Sequence, residues 1–146
     1  MIDFTSAEKR LNGSFGYIEV DGDTILEANN VTIDINVDYS DVQRGMDKDS
    51  KMTGRSGEGK FKVIKAYSRA KEWVNKVKAG KAPIARLVAW VADPELDGKE
   101  ERVAISKIKL TKIPVLNYEH GKFIEEEYPF KFAPGDLEYL DSIDPE

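Results

Sequence analysis

The amino-acid sequence predicts a mainly β (α+β) fold: an antiparallel β-sandwich or barrel with one packed α-helix and a long Gly-rich loop. Three observations lead to this prediction. Short runs in which apolar and polar residues alternate recur along the chain. A single stretch, residues 68–80, has apolar residues at helical spacing. Between two of the extended runs lies a segment rich in glycine and charge, residues 40–59.

Length and composition bound the possible functions. The chain has 146 residues, so we expect a single domain over residues 1–146. The net charge of −5 argues against a general nucleic-acid binder, because such proteins need a basic surface. There is no cysteine and only one histidine, His120, which excludes disulfides, thiolate zinc sites and multi-histidine metal sites. We expect no cofactor, no metal, no secretory signal and no membrane anchor.

The first elements are an arm and a hairpin. Residues 1–13 are polar and weakly patterned, and we expect an N-terminal arm there. Residues 15–20 and 24–27 have extended character, and Asp21-Gly22 lies between them. An Asp-Gly pair between two extended runs is a hairpin turn signal, so the sequence predicts a short hairpin.

The clearest strand spans residues 31–39. Side chains alternate across a strand, so one of its faces is predicted to pack on a core and the other to face water. The apolar set is Val31, Ile33, Ile35, Val37 and Tyr39, and the polar set is Thr32, Asp34, Asn36 and Asp38.

Residues 40–59 are predicted to form a loop. They contain four glycines, many charges and few apolar residues. A loop of this length inside a domain is uncommon, and it is usually functional or disordered.

A strand over residues 60–66 and the helix over residues 68–80 follow. Ser68 is a candidate N-cap, and Gly80 ends the pattern. We expect three apolar side chains to pack the helix on the sheet, with its lysines outward: Trp73, Val74 and Val77.

The second half of the chain is predicted to be extended. Residues 84–92 are almost wholly apolar and indicate a central strand. In residues 102–112 the apolar phase slips, which predicts a bulge near Ser106. Residues 122–132 form a last strand, and residues 136–146 an acidic C-terminal tail. The aromatic face of the last strand consists of Tyr128, Phe130 and Phe132.

Several motifs fail as catalytic or ligand sites. Residues 54–60 have the glycine and lysine spacing of a phosphate loop, but Phe61 follows where Ser or Thr is required, and the context is not strand-then-helix. The acidic residues at 21–23 and 47–49 begin like calcium loops, but Ile25 and Lys51 stand where the third calcium ligand is required, and neither can coordinate calcium. These patterns are typical of turns.

The carboxylates and the histidine give no enzyme signature. Asp34 and Asp38, and the glutamates at 125–127, lie on faces that are predicted to be solvated. His120 lies in a turn-like segment with no identifiable nucleophile. We therefore expect no catalysis. Two alternatives stay open at this point: a β-sandwich binding module for carbohydrate or peptide, and a small hydrolase using Asp34 and Asp38.

A resemblance to a known protein family indicates a function where the isolated motifs indicate none. The segment MTGRSGEGKF at residues 52–61, the helix after it and residues 83–91 resemble the tail tube proteins of contractile phages and phage-like particles, in particular the XkdM-like family. The likeness continues through residues 93–103. It ends with EEEYPFKF at residues 125–132, which is similar to that family's EEEVPFTF segment. It covers residues 14–140, and the order of elements is also similar.

The resemblance implies a tail-tube-like fold and a structural role. Family members form homohexameric rings that stack into a hollow conduit, which a contractile sheath surrounds and which is driven through the target envelope. The implied partners are other copies of the chain, the tail sheath protein, the tape measure protein, the baseplate or tube initiator and the tail terminator, with DNA as transient cargo in a phage. The implied location is the tail of a virion, a phage-like particle or an R-type bacteriocin, after synthesis in the bacterial cytoplasm.

Within such a tube, three sets of residues are candidates for assembly. The polar face of the strand at residues 31–39 is predicted to line the lumen, through Thr32, Asp34, Asn36 and Asp38. The segment at 40–59 is predicted to contact a neighbouring subunit or ring through Val42, Arg44, Met46, Lys48, Lys51, Met52 and Arg55. The acidic partners of its basic side chains on that neighbour are predicted to be Glu125, Glu126 and Glu127.

Overall fold

The computed structural model describes residues 10–26 and 28–144. Most of the predicted arm, residues 1–9, and the last two residues of the predicted tail lie outside this part. The described residues confirm the mainly β (α+β) architecture, with eight strands and one α-helix. The strands are β1 (Gly16–Val20), β2 (Asp23–Ile25), β3 (Ala28–Arg44), β4 (Asp47–Ile64), β5 (Ile84–Val91), β6 (Glu101–Leu110), β7 (Glu125–Phe132) and β8 (Leu137–Asp141), and the helix is α1 (Lys71–Lys78).

The strands form one antiparallel sheet in the order β2-β1-β5-β6-β7-β4-β3. One edge of β6 is shared: β7 pairs with its end at Lys109 and Leu110, and β8 pairs with residues 102–105. At the far end of the sheet, β3 has β4 as its one strand partner in the described chain. The outer edge of β3 therefore offers its backbone groups to another strand.

A single hydrophobic core collects side chains from both ends of this strand order, so the sheet is strongly curved. Residues of β1, β2 and β5 share the core with residues of β4, β6 and β7, and α1 contributes Trp73. The predicted aromatic face of β7 is buried, and the Phe61 ring stacks on the Tyr128 ring at 5.0 Å between centroids. The largest fully buried side chains are Tyr128, Phe61, Phe130, Ile18, Leu87, Ile105, Ile108 and Val63.

Two local predictions are confirmed in detail. Asp21 and Gly22 both have positive φ, 51° and 89°, as the two-residue turn between β1 and β2 requires. In β6 the buried residues Ile105 and Ile108 pair with Leu87 and Ala85 of β5, so two residues of β6 oppose one residue of β5. This is the bulge that the phase slip near Ser106 predicts.

The helix is shorter than the predicted 68–80. Ser68 does not cap it with its side chain, because the N-cap is Ala70. The C-terminus is as expected: Gly80 has φ +79°, and the N–H groups of Gly80 and Lys81 bond the carbonyls of Val77 and Lys76 in a Schellman motif.

One face of α1 packs on the core. The Trp73 ring meets the Tyr128 ring edge-on at 5.5 Å, and Val74 packs beside it. Val77, by contrast, is exposed, so the prediction that it packs against the sheet is wrong. None of the helices in the described ranges has the length and apolar content that a membrane span requires.

Two segments that are predicted to be irregular are strands. Residues 40–59 are not a long Gly-rich loop, because β3 and β4 stay paired up to Arg44 and Asp47, with one register shift where Asp38 pairs with Gly54 and Tyr39 with Met52. The tail at 136–146 contains β8, which covers the part of the β6 edge that β7 leaves open. Unpaired backbone N–H and C=O groups on that edge would otherwise lack partners.

Candidate functional site

The β3–β4 hairpin has two parts, which we call the base and the ribbon. In the base, residues 57–63 of β4 pair with β7 on one side and with β3 on the other, and Ile64 pairs with β7. In the ribbon, residues 36–56, the two strands pair only with each other among the described residues. At about 3.3 Å per residue, the ten residues from Ser56 to Asp47 place the tip about 30 Å beyond the base.

The tip of the ribbon is closed by local contacts. Gly45 has φ +61° at the turn, and its carbonyl accepts a hydrogen bond of 2.6 Å from the Gln43 side chain. The Arg44 guanidinium pairs with Asp49 at 3.1 Å. Met46 is fully exposed at the end of the turn. All seven residues predicted to contact a neighbour lie in the ribbon and are exposed: Val42, Arg44, Met46, Lys48, Lys51, Met52 and Arg55.

One face of the β3–β4 hairpin carries an apolar stripe, which begins at Ile35 beside the base and continues along the ribbon through Val37, Tyr39 and Met52. The three β3 residues alternate along the strand, and Met52 lies directly opposite Tyr39. All four are exposed, with Tyr39 at 63%. The prediction that this face packs on the core of the same chain therefore holds for Ile33 alone, which is partly buried against the core. Exposed apolar stripes of this kind mark interaction sites.

The opposite face of β3 carries the predicted lumen residues. Asp34, Asn36 and Asp38 are exposed on it, and Thr32 is half-buried. The sign of the charge changes across this face of the sheet, from acidic on β3 and β4 to basic on β7 and β6. Asp34 lies opposite Glu58, Glu58 opposite Lys131, and Lys131 opposite Lys109.

Asp34 and Asp38 are both exposed on the same strand, whereas acid-base catalysis by two carboxylates needs different environments for them. The geometry thus gives no support to the hydrolase alternative.

Two glycines of the segment that is predicted to form a loop have a packing role in the base. Gly57 lies opposite Phe132, and Gly59 lies opposite Phe130. A Cβ atom at Gly57 would collide with the Phe132 ring, and one at Gly59 would collide with the Phe130 ring and with the Thr32 carbonyl oxygen. Glycine is therefore required at both positions, because an aromatic ring occupies the space that a side chain would need.

The three predicted acidic partners lie in three different environments. Glu125 is exposed and accepts a hydrogen bond of 3.4 Å from the Asn29 amide. Glu127 is also exposed and pairs with Lys60 of its own chain at 3.2 Å. Glu126 is 3% exposed, so its predicted place on a solvated face is wrong.

The Glu126 carboxylate belongs to a polar cluster beside the core. Lys65 Nζ lies 3.7 Å from one of its oxygens, and the Tyr128 hydroxyl donates to the other at 3.3 Å. Burial, and then the neighbouring Glu126 charge, raise the pKa of Tyr128 above its ordinary value. Burial also lowers the pKa of Arg69, whose guanidinium lies 4.5 Å from the centre of the Tyr67 ring.

Residues 111–124, between β6 and β7, form a loop that was not predicted as a candidate site. Both of its ends were predicted to belong to strands. We call it the distal loop. Among its residues, Val115, Leu116, Tyr118 and Phe123 are exposed, Phe123 at 90%. With β4 and β7 it encloses an open groove of about 470 Å³. The signal in the sequence is an apolar run around Pro114 that does not alternate and therefore does not fit a strand.

The distal loop lies at the opposite end of the sheet from the ribbon tip. β4 runs from the tip at Asp47 to Ile64, which pairs with Glu125 at the start of β7. Beyond that pair, the Lys65 N–H bonds the Ile124 carbonyl, and the Asn117 side chain bonds the Glu125 carbonyl.

Comparison with known proteins gives one family and several related folds. The sequence model of the family described as "Phage tail tube protein" matches residues 3–141. A search of curated proteins gives no significant match.

Among solved structures, the sheath/tube terminator of an extracellular contractile injection system, PVC, is 12% identical with a TM-score of 0.74, over 92% of this chain and 99% of that one. A chain of the PVC sheath-tube complex is 12% identical with a TM-score of 0.70, over 93% and 95%. A chain of a native gene transfer agent virion is 20% identical with a TM-score of 0.59, over 90% and 99%.

At these identities the structures establish a shared fold, while the family match covers nearly the whole chain. Three features of the described residues are consistent with this family: the extended β3–β4 hairpin, the unpaired outer edge of β3 and the single α-helix. The chain belongs to the phage tail tube protein family, and it is a tail tube subunit.

Proposed function

We propose that this chain builds the inner tube of a contractile tail, in which homohexameric rings stack into a hollow conduit inside a sheath. The observation that carries the proposal is the ribbon. An isolated two-stranded hairpin is marginally stable in water, yet this one extends about 30 Å with an exposed apolar stripe on one face. A second copy of the chain would cover the stripe and supply the missing contacts.

The unpaired edge of β3 supports a closed ring. Its backbone groups lack a strand partner in the described chain, and an edge of this length is a template for pairing with another chain. A head-to-tail contact that closes after six copies leaves no such edge exposed. Pairing between subunits therefore turns an aggregation hazard into the interface of the ring.

The polar face of β3 is our candidate for the lumen wall. Thr32, Asp34, Asn36 and Asp38 lie opposite the apolar set, so a tube that buries the apolar set leaves these side chains facing the channel. In a phage, carboxylates on this wall would keep DNA phosphates from binding during transit.

In assembled tubes, a D34C variant should react with a small maleimide and resist a large PEG-maleimide. Equal reaction with both reagents would place Asp34 on the outer surface of the tube.

The buried position of Glu126 removes one of the three glutamates that were predicted to pair with the basic side chains of the ribbon. Because this carboxylate is enclosed by Lys65 and Tyr128 of its own chain, it is unsuited to pair with a neighbour. Glu125 and Glu127 remain as exposed candidates for Arg44, Lys48, Lys51 and Arg55 of another copy. Exposed ion pairs contribute only about 0–1 kcal/mol each, so they would set register rather than hold the tube together.

The remaining partners follow from the proposed tube. The exposed lysines of α1, Lys71, Lys76 and Lys78, form a surface that could face the sheath protein. A tape measure protein in the lumen, a tube initiator at the baseplate and a tail terminator at the other end complete the assembly, and the location is the tail of a virion or phage-like particle. We propose a purely structural role without catalysis.

The alternative of a carbohydrate-binding or peptide-binding module has less support. Such a module would need exposed aromatic side chains that share one face. In this chain Tyr39 lies on the ribbon, whereas Phe123 lies on the distal loop at the other end of the sheet. Size-exclusion chromatography with negative-stain microscopy separates the two functions. We expect rings or tubes, and a protein that remains a monomer at every concentration would contradict the proposal.

A further inference from the structure

We infer that the distal loop is the surface that receives the ribbon of the next copy along the stack. This inference rests on the proposed function, which supplies the stack but does not say which part of the neighbouring subunit the ribbon contacts. The two surfaces are the tip and apolar stripe of the ribbon on one copy, and the exposed side chains of the distal loop on the other. The receiving side chains are Val115, Leu116, Tyr118 and Phe123.

The positions of the two surfaces favour a head-to-tail contact. They lie at opposite ends of the sheet, joined by the length of β4. A contact between two different patches is heterologous, and when its geometry does not close it generates an open filament rather than a pair. Copies that join ribbon to distal loop therefore propagate along one direction, as the stacking of rings requires.

The apolar character of the two surfaces is matched. The ribbon presents Tyr39, Met52 and a fully exposed Met46, and the distal loop presents aliphatic and aromatic side chains with most of their area in water. Methionine is unbranched and polarisable, so it fills irregular gaps between apolar groups. Burying both surfaces against each other removes the two largest exposed apolar regions discussed above from water at once.

The charges of the two surfaces are complementary. The tip half of the ribbon, residues 40–56, contains four basic and three acidic side chains, whereas residues 111–127 contain two lysines and four glutamates, of which Glu126 is buried against Lys65. The groove beneath the distal loop is lined by charged groups beside apolar side chains: Glu125, Glu127, Lys62 and Lys112, together with Ile113 and Leu116. In the ribbon, Lys48 and Lys51 lie between Met46 and Met52, with Asp47 and Asp49 beside them, so cations that can meet these carboxylates also stand next to apolar side chains. Opposite charge at matching ends fixes the orientation of docking.

Cross-linking between introduced cysteines tests the contact directly, because the chain has none of its own. M46C and F123C change exposed side chains at the tip and in the distal loop. The two variants are co-assembled and treated with a mild oxidant or a short bis-maleimide. We expect cross-linked dimers in the mixture and not in either variant alone, and a ladder of higher species from the double variant. V77C, on the exposed side of α1, is the matched control and should not link to M46C.

A second variant checks the same surface without cross-linking. V115S/L116S/F123S removes exposed apolar groups and should leave the unfolding midpoint within experimental error, while long tubes are lost and at most single rings remain. Tubes that form without links between positions 46 and 123, or that survive the triple substitution, overturn this inference and leave the proposed function intact. Failure of the unmodified chain to form tubes under any condition overturns both.

Discussion

The base and the ribbon are parts of the same two strands, yet they differ in what holds them. In the base, β4 has strand partners on both sides, and Phe61 and Val63 are fully buried. In the ribbon, β4 has one partner, and all residues except Gly54 are exposed. The comparison teaches that one continuous hairpin can serve two levels of organisation: its base stabilises the subunit, and its ribbon, which the subunit leaves exposed, is the part that we propose other copies stabilise.

Removing the ribbon should separate these two roles most completely. Residues 37–55 are replaced by Asn-Gly, which forms a two-residue turn between the paired residues Asn36 and Ser56. We expect a folded domain whose free energy of unfolding changes by less than about 1 kcal/mol, because the deleted side chains contribute little burial. Tube formation, measured by electron microscopy, should be abolished. Tubes of normal length from the shortened chain would mean that the ribbon is not an assembly element.

Two glycines of β4 compare the regions by the same substitution. Gly59→Ala places a methyl group against the Phe130 ring and the Thr32 carbonyl oxygen, and overpacking of this kind costs about 1–3 kcal/mol or more. Gly54→Ala is the control, since its nearest neighbour is an Asp38 oxygen at 3.5 Å, an ordinary contact. Denaturant unfolding measures both. Equal losses of stability would contradict the packing role that we assign to Gly59.

The glutamates beside the base provide a third comparison. Glu126→Gln leaves Lys65 without its buried carboxylate partner and should lower the free energy of unfolding by about 1–3 kcal/mol. Glu127→Gln removes an exposed pair with Lys60 and should cost about 0–1 kcal/mol. If both variants unfold at the same denaturant concentration, the buried cluster is not a source of stability.

The smallest expected effect is a dependence of stability on pH. Because the folded pKa of Tyr128 is raised, the unfolded chain loses this proton first, near pH 10, and the folded chain retains it to higher pH. Stability is therefore fully present below about pH 10 and is lost as pH rises further toward the folded pKa. Tyr128→Phe should unfold with a shallower decline above pH 10 than the parent, as followed by thermal unfolding from pH 9 to 11. Identical slopes would show that this hydroxyl is not responsible.

Local sequence signals predicted the elements whose reasons are local. The Asp21-Gly22 turn follows from backbone conformation, and the β6 bulge follows from the phase of the apolar residues in one strand. The ribbon could not be predicted from the same signals, because glycine and charge at residues 40–59 indicate flexibility when the partner strands are unknown. Gly59 is explained by the Phe130 ring, a residue far away in the sequence.

Parts of the candidate site depended on contacts that sequence cannot supply. Three consecutive glutamates are equivalent in the sequence, and only the placement of Lys65 and Tyr128 around Glu126 distinguishes the middle one. The alternation in β3 correctly indicated that Ile35 and Tyr39 share an apolar face. It contained no information on whether the cover comes from the same chain or from another.

The exposed ribbon also has a consequence for how fast tubes begin. A subunit joining the end of an existing tube meets an ordered neighbour against which its ribbon can settle, whereas two free subunits must both order their ribbons in the encounter. We therefore expect starting a tube to be much slower than lengthening one. Polymerisation of the purified chain should show a lag that added tube fragments abolish, so the place and time of assembly are controlled by whatever supplies the first ring.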